Sequence, residues 1–543
     1  MPYSGRETSK MSSETFAAPE ARNQTDVYAV HGADPEVLAY AMAKYSRSAL
    51  SMRESLAEIG AQRAEQFLNT FYFQYGHRSI ADLAHVAFAV ERLSLLAAIV
   101  LVDEQRWDGQ ERSTRYQNFM KSGWYLPDFG PDAASARLYA ETVEGLFAAY
   151  QKTSAAVLEL LKRRVQRPET LKPEAYERTL KARAFDVARY LVPLATNTSL
   201  GQIVNARTLE TQVSRLLSHP AAEVRDLGLK LRNAAACPAW NVGAQAGQAF
   251  VDLLAGLGTE AAESLSAQAA QLLTREVRMA PTLVKYAQPN EYLMRSRKEL
   301  EQTARELLDG VAIAPVPLVD LVERTESLEV ELAATLMYGA SDHPYRQVRD
   351  AVAGLDEARV LEIVELGLRH RGKHDEALRA FKAGAALRFD ILMDIGGFRD
   401  MHRHRRCVQI KQGFTARLGY ETPGAGDLGG DVDILAEAGI EADYRGAVEG
   451  AHRASARIAE GASAEAGVSA LYVLPLATRV RCLFKMDFAE AQYISELRSA
   501  PAGHFSYRRV AWEMYRAVER QHPALAKHLR VTDFRQQIDM LQR

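Results

Sequence analysis

The sequence predicts an α+β fold, mostly helical with a few short strands, present twice in tandem along one chain. Three observations predict it. At 543 residues the chain is longer than one hydrophobic core organises, so two domains of similar size are expected. The block Tyr190-Leu-Val-Pro-Leu-Ala-Thr196 returns as Tyr472-Val-Leu-Pro-Leu-Ala-Thr478, 282 residues later. Long stretches such as Glu141 to Leu161 and Glu323 to Met337 carry apolar residues at three- to four-residue spacing, whereas two-residue alternation is scarce and brief.

Taken in order, residues 1–25 are rich in Ser, Thr and Glu without an apolar run, which predicts a disordered tail and neither a signal peptide nor a spanning helix. A first domain is expected over 26–290. Within it, Leu38-Ala-Tyr-Ala-Met-Ala-Lys-Tyr45-Ser-Arg-Ser48 is echoed by Leu332-Ala-Ala-Thr-Leu-Met-Tyr338-Gly-Ala-Ser341, in the same order as the first repeated block. The longest apolar run, Leu93 to Val102, is about half the ~20 residues a membrane crossing requires, so a buried helix explains it better. Gln288-Pro289-Asn290 is a turn signal, Glu299 to Leu308 reads as a charged amphipathic helix, and Pro315-Val-Pro317 breaks it. The boundary is placed near 290, with the second domain over 291–543.

Composition narrows the function. With 47% apolar and 25% charged residues the balance is that of a globular protein. A net charge of -2 supplies no general field for nucleic acid, so anions must be met by local basic clusters and small partners are expected rather than polymers or membranes. Cys237, Cys407 and Cys482 are odd in number and form no CxxC pair, which fits a reducing cytoplasm.

The chemistry-bearing motifs are split between the halves. The first carries Tyr75-Gly-His-Arg-Ser79-Ile-Ala-Asp82, Gln110-Glu-Arg-Ser-Thr-Arg-Tyr116, Ala188-Arg-Tyr-Leu-Val-Pro193 and Asn205-Ala-Arg-Thr-Leu209. The second carries Phe398-Arg-Asp-Met-His-Arg403-His404-Arg405-Arg406. An anion such as a phosphate is best met by forked donors, which Arg supplies better than Lys. Ser113 has no neighbouring His base and reads as a hydrogen-bond donor, not a nucleophile. Blander readings stand beside these. The His402 to Arg406 run suits a solvated basic helix end; a metal site there is not expected, since helical ligand pairs stand i, i+4 and His402 and His404 are two apart. Glu111-Arg112-Ser113 suits a surface turn with a local ion pair. Arg189 and Arg215 suit structural pairs with carboxylates such as Asp186 or Glu223.

In this order the motifs resemble those of flavin-dependent thymidylate synthases, so the chain looks like a tandem-duplicated, diverged member. The resemblance implies methylation of dUMP, or a related pyrimidine nucleotide, with FAD, NADPH and methylenetetrahydrofolate, at sites shared between neighbouring protomers of a tetramer. It also exposes two losses. The Arg-His-Arg of the family should fall at 103–105, where Asp103-Glu104-Gln105 stands; the Glu-x-Ser-x-Arg element of the second half reads Lys411-Gln-Gly-Phe-Thr415, and its Arg-Tyr-x-x-Pro arginine is Leu471. The losses are complementary. One composite site is expected, with Glu111, Ser113, Arg115 and Arg189 of the first copy and Arg403 and Arg498 of the second binding substrate, Arg498 being the catalytic cation that activates the ring. By the same resemblance His77, Ser79, Glu111, Asn205, Arg207, Arg403, His404 and Arg405 hold FAD. The mirror site is expected to be dead, and Arg479 or Arg481 is a candidate replacement for the missing cation at Leu471. A homodimer arranged as a pseudo-tetramer follows from the resemblance; no metal is expected. The alternative is a flavin- or nucleotide-binding protein without turnover.

Overall fold

The computed structural model describes residues 30, 32–44, 51–58, 65–66, 68, 78–115, 119, 122–322, 328–370, 378–382, 387–424, 433–463, 465–526, 529–536 and 539–541. The expected tail at 1–25 lies outside them.

The first half runs α1 (Pro35–Lys44), α2 (Met52–Glu58), β1 (His85–Ser94), α3 (Leu95–Leu101), β2 (Asp108–Glu111), α4 (Ala133–Arg164), α5 (Pro173–Ala188), β3 (Asn197–Asn205), α6 (Ala206–Leu217) and α7 (Ala222–Ala236). A helical hairpin, α8 (Ala244–Ala255) and α9 (Glu260–Leu273), and then α10 (Glu291–Leu307) lead into the second half. That half runs β4 (Val319–Leu321), α11 (Leu328–Gly339), α12 (Tyr345–Ala353), α13 (Glu357–Leu366), β5 (Leu387–Asp394), α14 (Ile395–Met401), β6 (Val408–Lys411), α15 (Glu441–Ala459), β7 (Arg479–Met486), α16 (Phe488–Ser499) and α17 (Phe505–Gln521). The architecture is therefore α+β and mostly helical, with two small antiparallel sheets of order β1-β3-β2 and β4-β5-β7-β6.

The halves repeat each other corner for corner. Ser94 ends β1 against Asn197 as Asp394 ends β5 against Arg479. Each of these residues then caps the helix that follows, Ser94 Oγ accepting from the Ala97 amide at 2.9 Å and Asp394 Oδ1 from that of Gly397 at 2.6 Å. A capped corner satisfies a donor the first helical turn leaves free, so the chain turns from strand to helix at a fixed residue. One irregularity belongs to the first copy alone: β1 shifts register between Glu91 and Leu93, where Arg92 takes φ 59°. A bulge absorbs one extra residue this way.

The two copies meet at their repeated blocks. Pro193 pairs with Pro475 in an antiparallel bridge. The amides of Leu194 and Ala195 donate to the carbonyls of Leu474 and Tyr472, and those of Leu476 and Ala477 donate back to Val192 and Tyr190. Every bond has its partner at the same offset, so the segments are related by a local twofold. Side chains extend it: Tyr472 Oη donates to Glu223 at 2.9 Å, Glu223 also accepts from Ser94, and Tyr190 Oη reaches Asp394 at 3.4 Å. One hydrophobic core runs through both copies, while α10 to α13 gather a second, smaller one. The Leu93 to Val102 run ends β1 and forms α3, all but one of whose residues are buried.

Candidate functional site

The twofold brings β2 and its continuation, from the first copy, against the end of α14 and the turn after it, from the second. Glu111 accepts from Arg399 Nη2 at 2.8 Å and lies 3.5 Å from His402 Nε2. Arg403 Nη1 donates to Gln110 Oε1 at 3.2 Å. Arg405 stacks over Trp107 at 4.7 Å, with Asp108 3.8 Å away. Glu111 is buried, which alone would raise its pKa, but Arg399 and His402 outweigh burial and hold it far below the carboxylate range.

A second layer lies beneath. Arg115 donates Nε to Asp186 at 2.9 Å, Nη1 to Tyr507 Oη at 3.0 Å and Nη2 to the Ala502 carbonyl at 3.2 Å. Tyr507 sits at the start of α17, and its ring faces the guanidinium of Arg498 at 5.4 Å and that of Arg115 at 5.8 Å. Arg498 in turn donates Nε to His404 Nε2 at 2.7 Å. Because an arginine cannot accept, Nε2 of His404 is the bare nitrogen and the proton sits on Nδ1, 3.6 Å from Glu490. Burial, with Arg498 beside it, pushes the His404 pKa down to about 3. Arg189, buried under the same cluster, pairs with Asp400 at 3.1 Å. Burial would raise Asp400, yet Arg189, Arg115 and Arg498 keep its carboxyl below the usual value.

Thus the structure brings Glu111, Arg115 and Arg189 of one copy together with Arg403, His404, Arg405 and Arg498 of the other. Ser113 stands at the edge, its Oγ accepting from the Arg115 amide at 3.1 Å. Asn205 caps α6, accepting from the Thr208 amide at 2.8 Å. Arg207, held by Asp82 at 3.2 Å, lines a cavity of about 330 Å³ with Glu104, Gln105, Arg106, Thr208 and Arg379. A smaller cavity adjoins it through Glu104, Gln105 and Arg379 and reaches His402 and Arg405. His77 and the side chain of Ser79 lie outside the described residues.

Two expected partnerships are corrected. Arg189 meets Asp400, not Asp186, which is taken by Arg115; Arg215 meets Glu104 at 2.8 Å, not Glu223, which is taken by Ser94 and Tyr472. Of the two candidates for the cation missing at Leu471, Arg479 is held by Glu421 at 2.8 Å and Arg481, buried, by Asp390 at 3.2 Å. In the mirror arrangement, which lines the larger of the two cavities, acids and cations face one another. Glu104 pairs with Arg215 as His404 does with Arg498, Asp103 pairs with Arg379 at 2.6 Å, and Lys411 lies beside Asp103 with its ammonium 4.3 Å over Phe414.

Sequence reasoning did not single out Tyr507, Arg399 or Asp400 as site members. Asp186 and Asp400 were legible in principle: one stands three residues before Arg189, on the same helical face, and the other three before Arg403. Tyr507 carries no local signal, since only tertiary packing places it between two arginines.

Comparison with known proteins decides the family. The profile of the thymidylate synthase complementing proteins matches residues 29–238 and again 320–524, more than half of the chain. The chain belongs to the thymidylate synthase complementing protein family. This member is 28% identical to a UPF0159 protein of Chlamydia muridarum, over 92% of the chain and 91% of that protein. It is 24% identical to the UPF0159 protein Ta1429 of Thermoplasma acidophilum, over 91% and 94%. A flavin-dependent thymidylate synthase of Clostridium tetani aligns at 25% identity with 32% of the chain and 67% of its own length. Among solved structures, the Helicobacter pylori flavin-dependent thymidylate synthase complexed with FAD and dUMP matches 37% of the chain and 89% of its own, with 17% identity and a TM-score of 0.25. The two matched segments fall on the two halves described above, so the tandem arrangement and the family agree.

Proposed function

We propose that this family member methylates dUMP, or a related pyrimidine nucleotide, using FAD, methylenetetrahydrofolate and NADPH, at a single composite site between its two copies. The observation that carries the reading is the junction itself: Arg115 and Arg498, from different copies, flank one tyrosine ring, with Glu111 and Arg403 in the layer above. The donor set suits phosphates. Arg189 Nε and Nη2, Arg399 Nε and Arg403 Nε are buried without a hydrogen-bond partner in the protein, and buried donors are rarely left so without a ligand or water to meet them.

On this reading Arg115, Arg189 and Arg403 hold the nucleotide phosphate, and Ser113 donates to phosphate or ring. Arg498 places fixed positive charge where the pyrimidine becomes electron-rich, which lowers the barrier only if the charge is preorganised. The neutral His404 and the Tyr507 ring hold that guanidinium in place. Arg403, His404 and Arg405, with His77, Ser79, Glu111, Asn205 and Arg207, are the residues that would hold FAD, which when bound supplies the hydride and one-carbon handling. The mirror site is inactive because its acids and cations satisfy one another. The chain is read as a cytoplasmic homodimer of four domains. No helix among the described residues is long and apolar enough to cross a membrane.

A second reading, binding of flavin and nucleotide without turnover, is favoured by one specific observation: Arg115 and Arg189 already face carboxylates, Asp186 and Asp400. Two measurements on purified protein separate the readings. A flavin band that shifts on dUMP addition supports the site; dUMP-dependent release of the C5 hydrogen then distinguishes catalysis from binding. Colourless protein that takes up no added FAD would count against both.

A further inference from the structure

The hairpin α8–α9 is built inside out. Its helices face each other through small residues: Gly247, Val251, Ala262 and Ser266 are buried, and Ser266 Oγ donates to the Val251 carbonyl at 3.0 Å. The contact is close enough that a Cβ on Gly247 would stand 3.0 Å from that of Leu273. The large apolar side chains lie outside that contact. Leu253 is 66% exposed, Leu257 62% and Leu272 79%, with Phe250 and Leu265 also exposed and Trp240, at 86%, just before the hairpin. Ordinary amphipathic helices bury their largest apolar residues and leave small ones outside.

The exposed residues form one face. At 3.6 residues per turn Phe250 and Leu253 fall on one stripe of α8, with Leu257 just past its end, and Leu265 and Leu272, seven apart, fall on one stripe of α9. In each helix the stripe lies about a quarter turn from the buried contact, in the same rotational sense. Because the helices are antiparallel, with Gly247 at the start of one against Leu273 at the end of the other, both stripes emerge on the same side of the hairpin. Asp252, Glu260 and Glu263 fall on the opposite sides, and residues 233–274 contain no Lys or Arg. Such a surface has nothing to hold nucleic acid or anionic lipid. An uncharged apolar face is complementary to itself, and two such hairpins across a twofold make a four-helix bundle. The hairpin also stands apart from what the family shares: the first matched segment ends at 238, the next begins at 320, and an antiparallel bridge between Pro238 and Arg278 closes the insertion at its base.

We propose that α8–α9 is the docking element of a second copy of this chain, the two hairpins packing face to face. The proposal rests on the homodimer inferred above, adds to it a contact outside the segments the family shares, and fails separately from that inference. Light scattering at micromolar concentration is expected to give about 120 kDa for the native chain, twice 60.2 kDa, and the single-chain mass for Leu253→Asp/Leu265→Asp. A variant with residues 240–274 replaced by a short Gly-Ser linker, anchored at the Pro238–Arg278 bridge and keeping Arg275 with its Asp34 pair, is expected to give the single-chain mass too, with an unchanged melting temperature for the rest of the fold. If both variants remain two-chain, the homodimer stands and the hairpin is not its interface. A native chain that is monomeric at these concentrations also overturns the proposal.

Discussion

His404 shows how burial sets the chemistry of one residue. An unfolded histidine takes its proton near pH 6.5, whereas the folded side chain, buried beside Arg498, holds off until about 3. Between those values the unfolded state binds more protons. Stability is therefore full above about pH 6.5 and declines as pH falls toward 3, by about 1.4 kcal/mol per pH unit for one such group. His219, also pushed down to about 3 by burial, adds to this slope, while Asp394, raised by burial to about 6, opposes it. His404→Gln is expected to lose less stability than the native chain between pH 6.5 and 4.5, read as melting temperature at each pH; equal losses would mean that His404 titrates normally. At the same scale, Arg115→Ala and Arg498→Ala are each expected to lower C5-hydrogen release by about 10² or more. Their double variant should be no worse than the poorer single one, since residues acting as a unit are non-additive. Near-full turnover in Arg498→Ala, with loss in Arg215→Ala, would move catalysis to the first copy.

At the scale of elements, the first turn of α14 is a tightly constrained piece of backbone near the site. A Cβ on Gly397 would stand 2.6 Å from Ser506 Oγ and 3.0 Å from Asp394 Oδ2. Gly397→Ala is therefore expected to cost about 1–3 kcal/mol by displacing the cap of the helix that carries Arg399. Gly446, exposed in α15 with nothing near its Cβ position, gives the opposite expectation: Gly446→Ala should stabilise by about 0.5–1 kcal/mol. Urea denaturation of both variants tests the contrast, and a destabilising Gly446→Ala would contradict it. The long helices were legible because their apolar spacing is regular: Glu141 to Leu161 lies wholly within α4. The strands were not. In β5 the alternating Arg388 and Asp390 imitate a solvent face, yet both are buried, Asp390 accepting from Tyr338 Oη at 2.9 Å and the Tyr345 amide at 2.8 Å. A sheet covered on both sides by its own chain cannot be told from a half-exposed one by sequence period alone.

At the scale of the whole molecule, on the reading proposed above each copy keeps motifs that the other lacks, and the two copies meet across the local twofold at Pro193 and Pro475. The repeated block was visible in the sequence; that it forms the axis was not, because a repeat reports similarity and not contact. The complementary motif losses likewise pointed to one junction, while which carboxylate faces which arginine emerged only from packing. The mirror arrangement gives a further expectation. Glu104→Gln breaks a largely buried pair with Arg215, so it should lower stability by a few kcal/mol. Turnover per folded molecule should nevertheless be unchanged, which thermal melts and C5-hydrogen release measured on the same sample will check. The central claim, one working site per chain built from both copies, is tested most directly by equilibrium dialysis of labelled dUMP against FAD-loaded protein. The account predicts one nucleotide bound per chain, with binding lost in both Arg115→Ala and Arg498→Ala; two per chain, or full binding retained in either variant, would contradict it.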